Sequence, residues 1–398
     1  MRATGCRVQS RPWLATMANG RSSLWLAQQN MYPETMADDN PALAGNLSPR
    51  RGSGFRSLEA ARAGCWRALH CRLGRAAFCV VLAVLFTCEA EAATKIRLGV
   101  QKTGTFAFEL AIISERGLDR KAGLDIEVAE LASPEAAKIA LMGGAADMIL
   151  GDWLWVARQR NLGRLLVFAP YSTALGAVMV PAASPIADLA GLKGKNIAVA
   201  GGPLDKSWLL LQALARESDL DIASQANIIY GAPTLLFQKA ANGEADATLN
   251  YWNFCVALES RGFRRLIGMD EVERRLGAKG PVAMVGYVFG EEFARTHATA
   301  LSRFFKIAVE AKDILAHSEA DWEKIAKRIG IASEAELALY RQTYIDGIPR
   351  RPAAEEAADA RALYRILAKI GGPDLAGNAT ELDERTFYQN TELAPQEH

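Results

Sequence analysis

Two hydrophobic periods take turns along residues 93–398. Lys95-Ile-Arg-Leu-Gly-Val-Gln101 alternates apolar and polar positions, the period of a strand. The loop Lys102-Thr-Gly-Thr-Phe106 leads into a helical run through Glu109-Leu-Ala-Ile-Ile-Ser-Glu115. Gly123 then punctuates before a second strand, Asp125-Ile-Glu-Val-Ala-Glu-Leu131. Ser133-Pro134 opens the next helix, with serine as the cap and proline at the first helical position. Strands at 147–150 and 165–169 follow, with a helix between them. Strands alternating with single helices predict an α/β fold whose sheet is mostly parallel and covered on both faces.

From about Gly176 the pattern restarts. Ala177-Val-Met-Val180 reads as a connecting strand and Asn196-Ile-Ala-Val-Ala200 as the first core strand of a second unit. Gly201-Gly-Pro-Leu-Asp205 is a turn before a helix over 206–216. Further strands are expected at 227–230, 246–249 and 265–268, with a return strand at 282–289. The remainder, to about Lys369, is helical and rich in alanine. The expected organisation is therefore two lobes: residues 93–175 plus 291–398 as the first, and 176–290 as the second.

One internal match supports the duplication. Gly144-x-Ala146-Asp147-x-x-Leu150-x-x-Trp153 recurs without gaps as Gly243-x-Ala245-Asp246-x-x-Leu249-x-x-Trp252. In both places a helix end passes through glycine into a short strand, with tryptophan at the strand's carboxyl end. Ligands of open α/β sheets sit outside the carboxyl ends of the strands. If each lobe turns that edge toward its neighbour, both tryptophans are expected to face one cleft.

The first 92 residues differ in kind. They hold 11 Arg, no Lys and 6 acids, a net of +5; the remaining 306 carry 35 basic and 39 acidic side chains, a net of −4. Arg72 and Arg75 precede the apolar run 76–87, which ends in small residues at Ala90-x-Ala92. A positive flank, about a dozen apolar residues and a small-residue cleavage site read as a secretory signal peptide over 71–92. The run is shorter than the ~20 residues of a spanning helix. Residues 1–70 read as a disordered leader or an upstream misassigned start. Cys88 fits a lipid-anchor signal poorly. Five cysteines precede residue 93 and only Cys255 follows, which avoids mispairing in an oxidising compartment. The acidic body gives no electrostatic reason to expect nucleic acid.

Four segments resemble the periplasmic binding proteins for aliphatic sulfonates, taurine and nitrate, and their thiamine-pyrimidine-binding relatives. They are Ile96-Arg-Leu-Gly-Val-Gln101 with the Lys102–Thr105 loop, Gly123-Leu-Asp-Ile-Glu-Val128, the stretch 140–147, and 184–199. The resemblance covers nearly all of residues 95–320. It implies a type II periplasmic-binding-protein fold: two α/β lobes, two crossings between them, and a ligand cleft that closes by hinge motion. It also implies an ABC permease and its ATPase as partners, a monomeric receptor, and a periplasmic location.

The expected ligand contacts come from the strand ends and helix starts. They are Lys102, Thr103, Thr105 and Phe106 in the first loop; Asp152, Trp153 and Trp155 after the third strand; Lys206, Ser207 and Trp208 at the second lobe's first helix; and Asn250, Tyr251 and Trp252 after its matched strand. Asp205 reads as the cap of the helix that begins at Lys206. The family and the helix N-terminus behind Gly201-Gly202 favour a sulfonate or other anion. The aromatic walls and Asp152 favour a heterocycle or a cation. The composition leaves both open.

An enzyme of thiamine-pyrimidine metabolism and a sensory ligand-binding domain are the competing readings. Against catalysis, His297, His317, His398 and Cys255 lie at no metal-ligand spacing. Gly-x-Ser-x-Gly and phosphate-loop motifs are absent as well. No catalytic residue, metal or cofactor is expected.

Overall fold

A computed structural model describes residues 93–101, 104–331 and 333–389. The expected export signal, the leader before it, Cys88, Lys102 and Thr103 lie outside the described residues. The chain runs β1 (Thr94–Gln101), α1 (Phe106–Glu115), α2 (Leu118–Lys121), β2 (Leu124–Leu131), α3 (Pro134–Met142), β3 (Met148–Asp152), α4 (Trp153–Asn161) and β4 (Leu166–Ser172). It then crosses to β5 (Ala177–Pro181), β6 (Asn196–Ala200), α5 (Lys206–Arg216), α6 (Ile222–Gln225), β7 (Asn227–Gly231), α7 (Pro233–Ala241), β8 (Ala247–Asn250), α8 (Trp252–Glu259), β9 (Phe263–Gly268) and α9 (Met269–Arg275). It returns through β10 (Val285–Gly290) and closes with α10 (Glu291–Thr296), α11 (Ala298–His317), α12 (Glu319–Ile329), α13 (Glu334–Asp346) and α14 (Ala353–Ala376). Among the described residues, no helix is long and apolar enough to cross a membrane.

Two five-stranded sheets result, ordered β2-β1-β3-β10-β4 and β7-β6-β8-β5-β9. Strand for strand the orders are equivalent. Strands β1 and β6, second in each order, pair in parallel with both neighbours. Each sheet contains one reversed strand, supplied by the crossing chain: β10 runs antiparallel to β3 and β4, and β5 antiparallel to β8 and β9. The second lobe therefore ends before Val285, not at 290 as the sequence pattern suggests. Alternation of apolar residues identifies a strand but does not say which sheet it joins.

The repeated segments occupy matching places. Gly144 and Gly243 both have positive φ, the left-handed conformation that glycine adopts without a Cβ penalty. The Asp147 carboxylate accepts the backbone N–H of Arg97 on β1, at 2.8 Å. Asp246 accepts that of Asn196, the first residue of β6, also at 2.8 Å. Each aspartate thus ties the start of one strand, β3 or β8, to its parallel neighbour, β1 or β6.

Helices cover both faces of each sheet. One face of the first sheet packs Ile96, Leu98, Tyr287 and Phe289 against Phe106, Phe108, Phe304, Phe305 and Trp322. A second apolar cluster contains Ile149, Leu154 and Phe168 of the first lobe together with Val178, Val199 and Leu211 of the second. Leu363, Tyr364, Leu367 and Leu375 of α14 join the same cluster, and α14 packs on both α4 and α5. The final helix is thus shared between the lobes rather than belonging to the first alone. Gly176, in the first crossing, passes so close to the Asn250 carbonyl that any Cβ there would overlap it.

Candidate functional site

Between the sheets lies a cleft of about 630 Å³. Its walls are built from the carboxyl end of β3 and the first turns of six helices. Thr105 precedes α1, Pro134 and Glu135 open α3, and Asp152 precedes α4. From the second lobe come Asp205, Lys206 and Ser207 at α5, Pro233 and Thr234 at α7, and Tyr251 and Trp252 at α8. Six helix dipoles therefore direct their positive ends at one space. Three of these ends are internally capped: Ser133 accepts the Ala136 N–H at 3.1 Å, Asp152 the Trp155 N–H at 2.8 Å and Asp205 the Ser207 N–H at 2.9 Å.

Of the residues expected from the sequence, Thr105, Asp152, Trp155, Lys206, Ser207, Tyr251 and Trp252 line this cleft. Phe106, Trp153, Trp208 and Asn250 do not. Phe106 is buried behind the wall, edge-on to Tyr171, Tyr287 and Phe304. Trp153 is fully buried and lies 6.4 Å from the ring of Phe387, near the end of the described chain. Two helical residues later the direction has turned by about 200°, so Trp155 reaches the cleft instead. Trp208 is buried edge-on to Tyr230, with centroids 6.3 Å apart. Asn250 uses its amide internally, donating to the Pro233 carbonyl at 3.0 Å and accepting the Tyr251 N–H at 2.8 Å. It sets the starts of α7 and α8 rather than facing a ligand.

The paired-tryptophan expectation is therefore half right. Trp252 lines the cleft and packs 4.7 Å from Tyr340 of α13, a first-lobe helix; Trp153 lies in a different apolar cluster. The repeat is real, but its two tryptophans meet unduplicated partners, Phe387 and Tyr340.

Sequence reasoning missed Glu135, Lys138, Arg158, Tyr171, Phe254 and Asp374. Lys138 and Arg158 sit one helical turn from Glu135 and Trp155, so helical spacing could have flagged them. Tyr171 had no such signal, because its role depends on a buried network. Lys312 stands 3.7 Å over the Tyr171 ring and pairs with buried Glu109. Tyr344 donates to the same carboxylate at 2.7 Å, and Tyr287 at 3.3 Å. Burial, reinforced by the charge of Glu109, pushes the hydroxyls of Tyr171, Tyr287 and Tyr344 well above the usual range. Burial pulls Lys312 down against the opposing pull of Glu109. The Tyr171 hydroxyl meets Thr105 Oγ1 at 3.2 Å, linking this network to the cleft rim.

Across the cleft, Tyr251 donates from its hydroxyl to Asp205 at 3.3 Å. Burial raises its pKa well above the ordinary value, and the negative charges of Asp205, Glu135 and Asp152 raise it further. The last two belong to the opposite lobe, so both walls act electrostatically on one ring. Ser207 is only 2% exposed, and its hydroxyl has no hydrogen-bond partner among the described residues. A buried hydroxyl without a partner carries a desolvation cost that a ligand can relieve. Cys255, the one cysteine of the body, is buried elsewhere, and burial pushes its thiol up to about 12.

The family model described as NMT1/THI5 like matches residues 111–316, more than half of the chain. The chain belongs to the NMT1/THI5-like family. No curated protein matches it by sequence. Solved structures show how this NMT1/THI5-like chain folds. The alkanesulfonate-binding protein SsuA of Xanthomonas axonopodis pv. citri, bound to MOPS, is 19% identical, with a TM-score of 0.59 over 75% of this chain and 99% of that one. The periplasmic aliphatic sulphonate binding protein SsuA of Escherichia coli is 20% identical, with a TM-score of 0.56 over 74% and 99%. A Candida albicans protein described as having the generic periplasmic binding protein structural fold is 11% identical, with a TM-score of 0.52 over 75% and 99%. At these identities the likeness establishes the two-lobed periplasmic-binding-protein fold.

Proposed function

We propose that this NMT1/THI5-like protein is the extracytoplasmic substrate-binding component of an ABC importer. It captures one small organic solute between its lobes and presents it to a permease in the inner membrane. The observation that carries this reading is the cleft, walled from both lobes by aromatic rings and by the buried, unpartnered Ser207 hydroxyl. A cavity of this size, mostly pre-formed and with a few convergent polar groups, suits a small molecule. The secretory pattern over 71–92 supports a periplasmic location. The reading is a binding protein and not an enzyme. Neither serine of the cleft, Ser172 or Ser207, has a histidine or carboxylate bonded to its hydroxyl among the described residues, whereas catalysis by a serine nucleophile needs such a pair.

Native mass spectrometry of protein recovered from its own cell envelope should show one bound small molecule. The released solute, added back, should change tryptophan emission, because Trp155 and Trp252 line the cleft. Trp252→Ala should weaken its binding at least tenfold. A protein that retains no solute and responds to none would overturn the reading.

A further inference from the structure

Three of the cleft's aromatic rings share one unusual surrounding. Each has a lysine ammonium over a face, and each lysine is matched to a carboxylate. Lys138 lies 5.4 Å from the centre of the Trp155 ring and 4.0 Å from Asp152. Lys206 lies 4.7 Å from the Tyr251 ring and 3.6 Å from Asp205. Lys312 lies 3.7 Å from the Tyr171 ring and pairs with Glu109. The carboxylates have other work: Asp152 and Asp205 cap helices, and Glu109 accepts from two tyrosines.

A ring attracts a cation through the negative face of its quadrupole. Once an ammonium occupies one face, the ring's density is drawn toward it. A second cation on the opposite face then sits about 8–10 Å from the first and is disfavoured on the order of tenfold. These rings therefore do not form a cage for a cation, although their number suggests one. The electron-poor face favours an electron-rich, flat partner. Arg158 lines the same wall and makes no ion pair among the described residues, and Ser207 offers its hydroxyl. The opposing acids, Glu135 and Asp374, are exposed parts of the lining.

Resting on the receptor reading above, the geometry points to a planar, electron-rich aromatic bearing one negative charge as the solute class. Positively charged ring compounds are rejected. Lys138 and Lys206 are the residues that set this preference.

Isothermal titration of the mature protein with charge-reversed pairs on one ring tests it: 4-hydroxybenzoate against 4-hydroxybenzylamine, and benzenesulfonate against benzyltrimethylammonium. The anionic member of each pair should bind at least tenfold tighter. Lys138→Met, at a half-exposed site where folding is not at stake, should cut that ratio about tenfold; Lys206→Met should do the same if it folds. Equal or reversed preference, binding of neither pair, or an unchanged ratio in Lys138→Met overturns the inference. Native mass spectrometry separates this from failure of the receptor reading. A bound cation or a bound non-aromatic solute sinks the solute class and leaves the receptor standing, whereas an empty protein sinks both.

Discussion

Glu273 shows how much one side chain can depend on its surroundings. It is buried at the start of the second crossing, where its carboxyl faces the Val282 N–H and Oε1 has no hydrogen-bond partner among the described residues. Two more buried carboxylates hold the same segment: Glu356 accepts the Ala283 N–H and Asp359 accepts that of Lys279, at 3.0 Å. Burial pushes Glu273 well above the ordinary carboxyl range, and the nearby charges of Asp270, Glu356 and Asp359 add to the shift. Because the folded pKa exceeds the unfolded one, the favourable contribution is complete below the unfolded value and is lost as pH rises through the folded one. Glu273→Gln keeps an acceptor for Val282 and removes the titration. Thermal melts should show the variant matching the parent near pH 4 and melting a few degrees higher at pH 8. None of this was legible in the sequence, where Glu273 is one acid in a charged run.

At the scale of elements the sequence was far more informative. The period-two and helical stretches located every strand of both sheets to within a few residues, because each is bounded by glycine, proline or a capping residue. Ser133 and Asp205 cap their helices as expected. The internal repeat also had a meaning the pattern alone concealed: its aspartates are ties between strands. Asp246→Ala removes an acceptor for Asn196 and should cost about 1–2 kcal/mol in chemical denaturation. Asp147→Ala should cost more, since the Arg97 side chain also bonds that carboxylate, at 3.1 Å through Nε. Equal losses would contradict the asymmetry. What the pattern could not show is which side of a helix start faces the cleft. Trp153 and Trp155 have the same chemistry, and their places two residues apart on the helix put the first in the apolar cluster beside Phe387 and the second on the cleft.

For the molecule as a whole, the sharing of α14 is the decisive feature. Leu367 is fully buried in a cluster that includes side chains of both sheets. Leu367→Ala should lower stability by about 2–5 kcal/mol. Because the cluster is continuous, the loss should appear as one broadened or shifted transition rather than as a first lobe melting alone. Trp252 against Tyr340 forms a second bridge between the lobes. Two bridges and two crossings therefore connect the lobes. The sharing was not legible in the sequence, since α14 reads as an ordinary alanine-rich helix.

The strand exchange has a consequence for how the chain is made. The first sheet has an open slot between β3 and β4 until β10 arrives, more than 110 residues after β4 ends. A growing polypeptide therefore cannot complete its amino-terminal half on the ribosome when that half has emerged. Contacts this distant in sequence form slowly, so the first sheet stays open until the returning strand has been made. Chains ending at Met284 should remain protease-sensitive throughout, whereas chains ending at 389 should gain protection in one step.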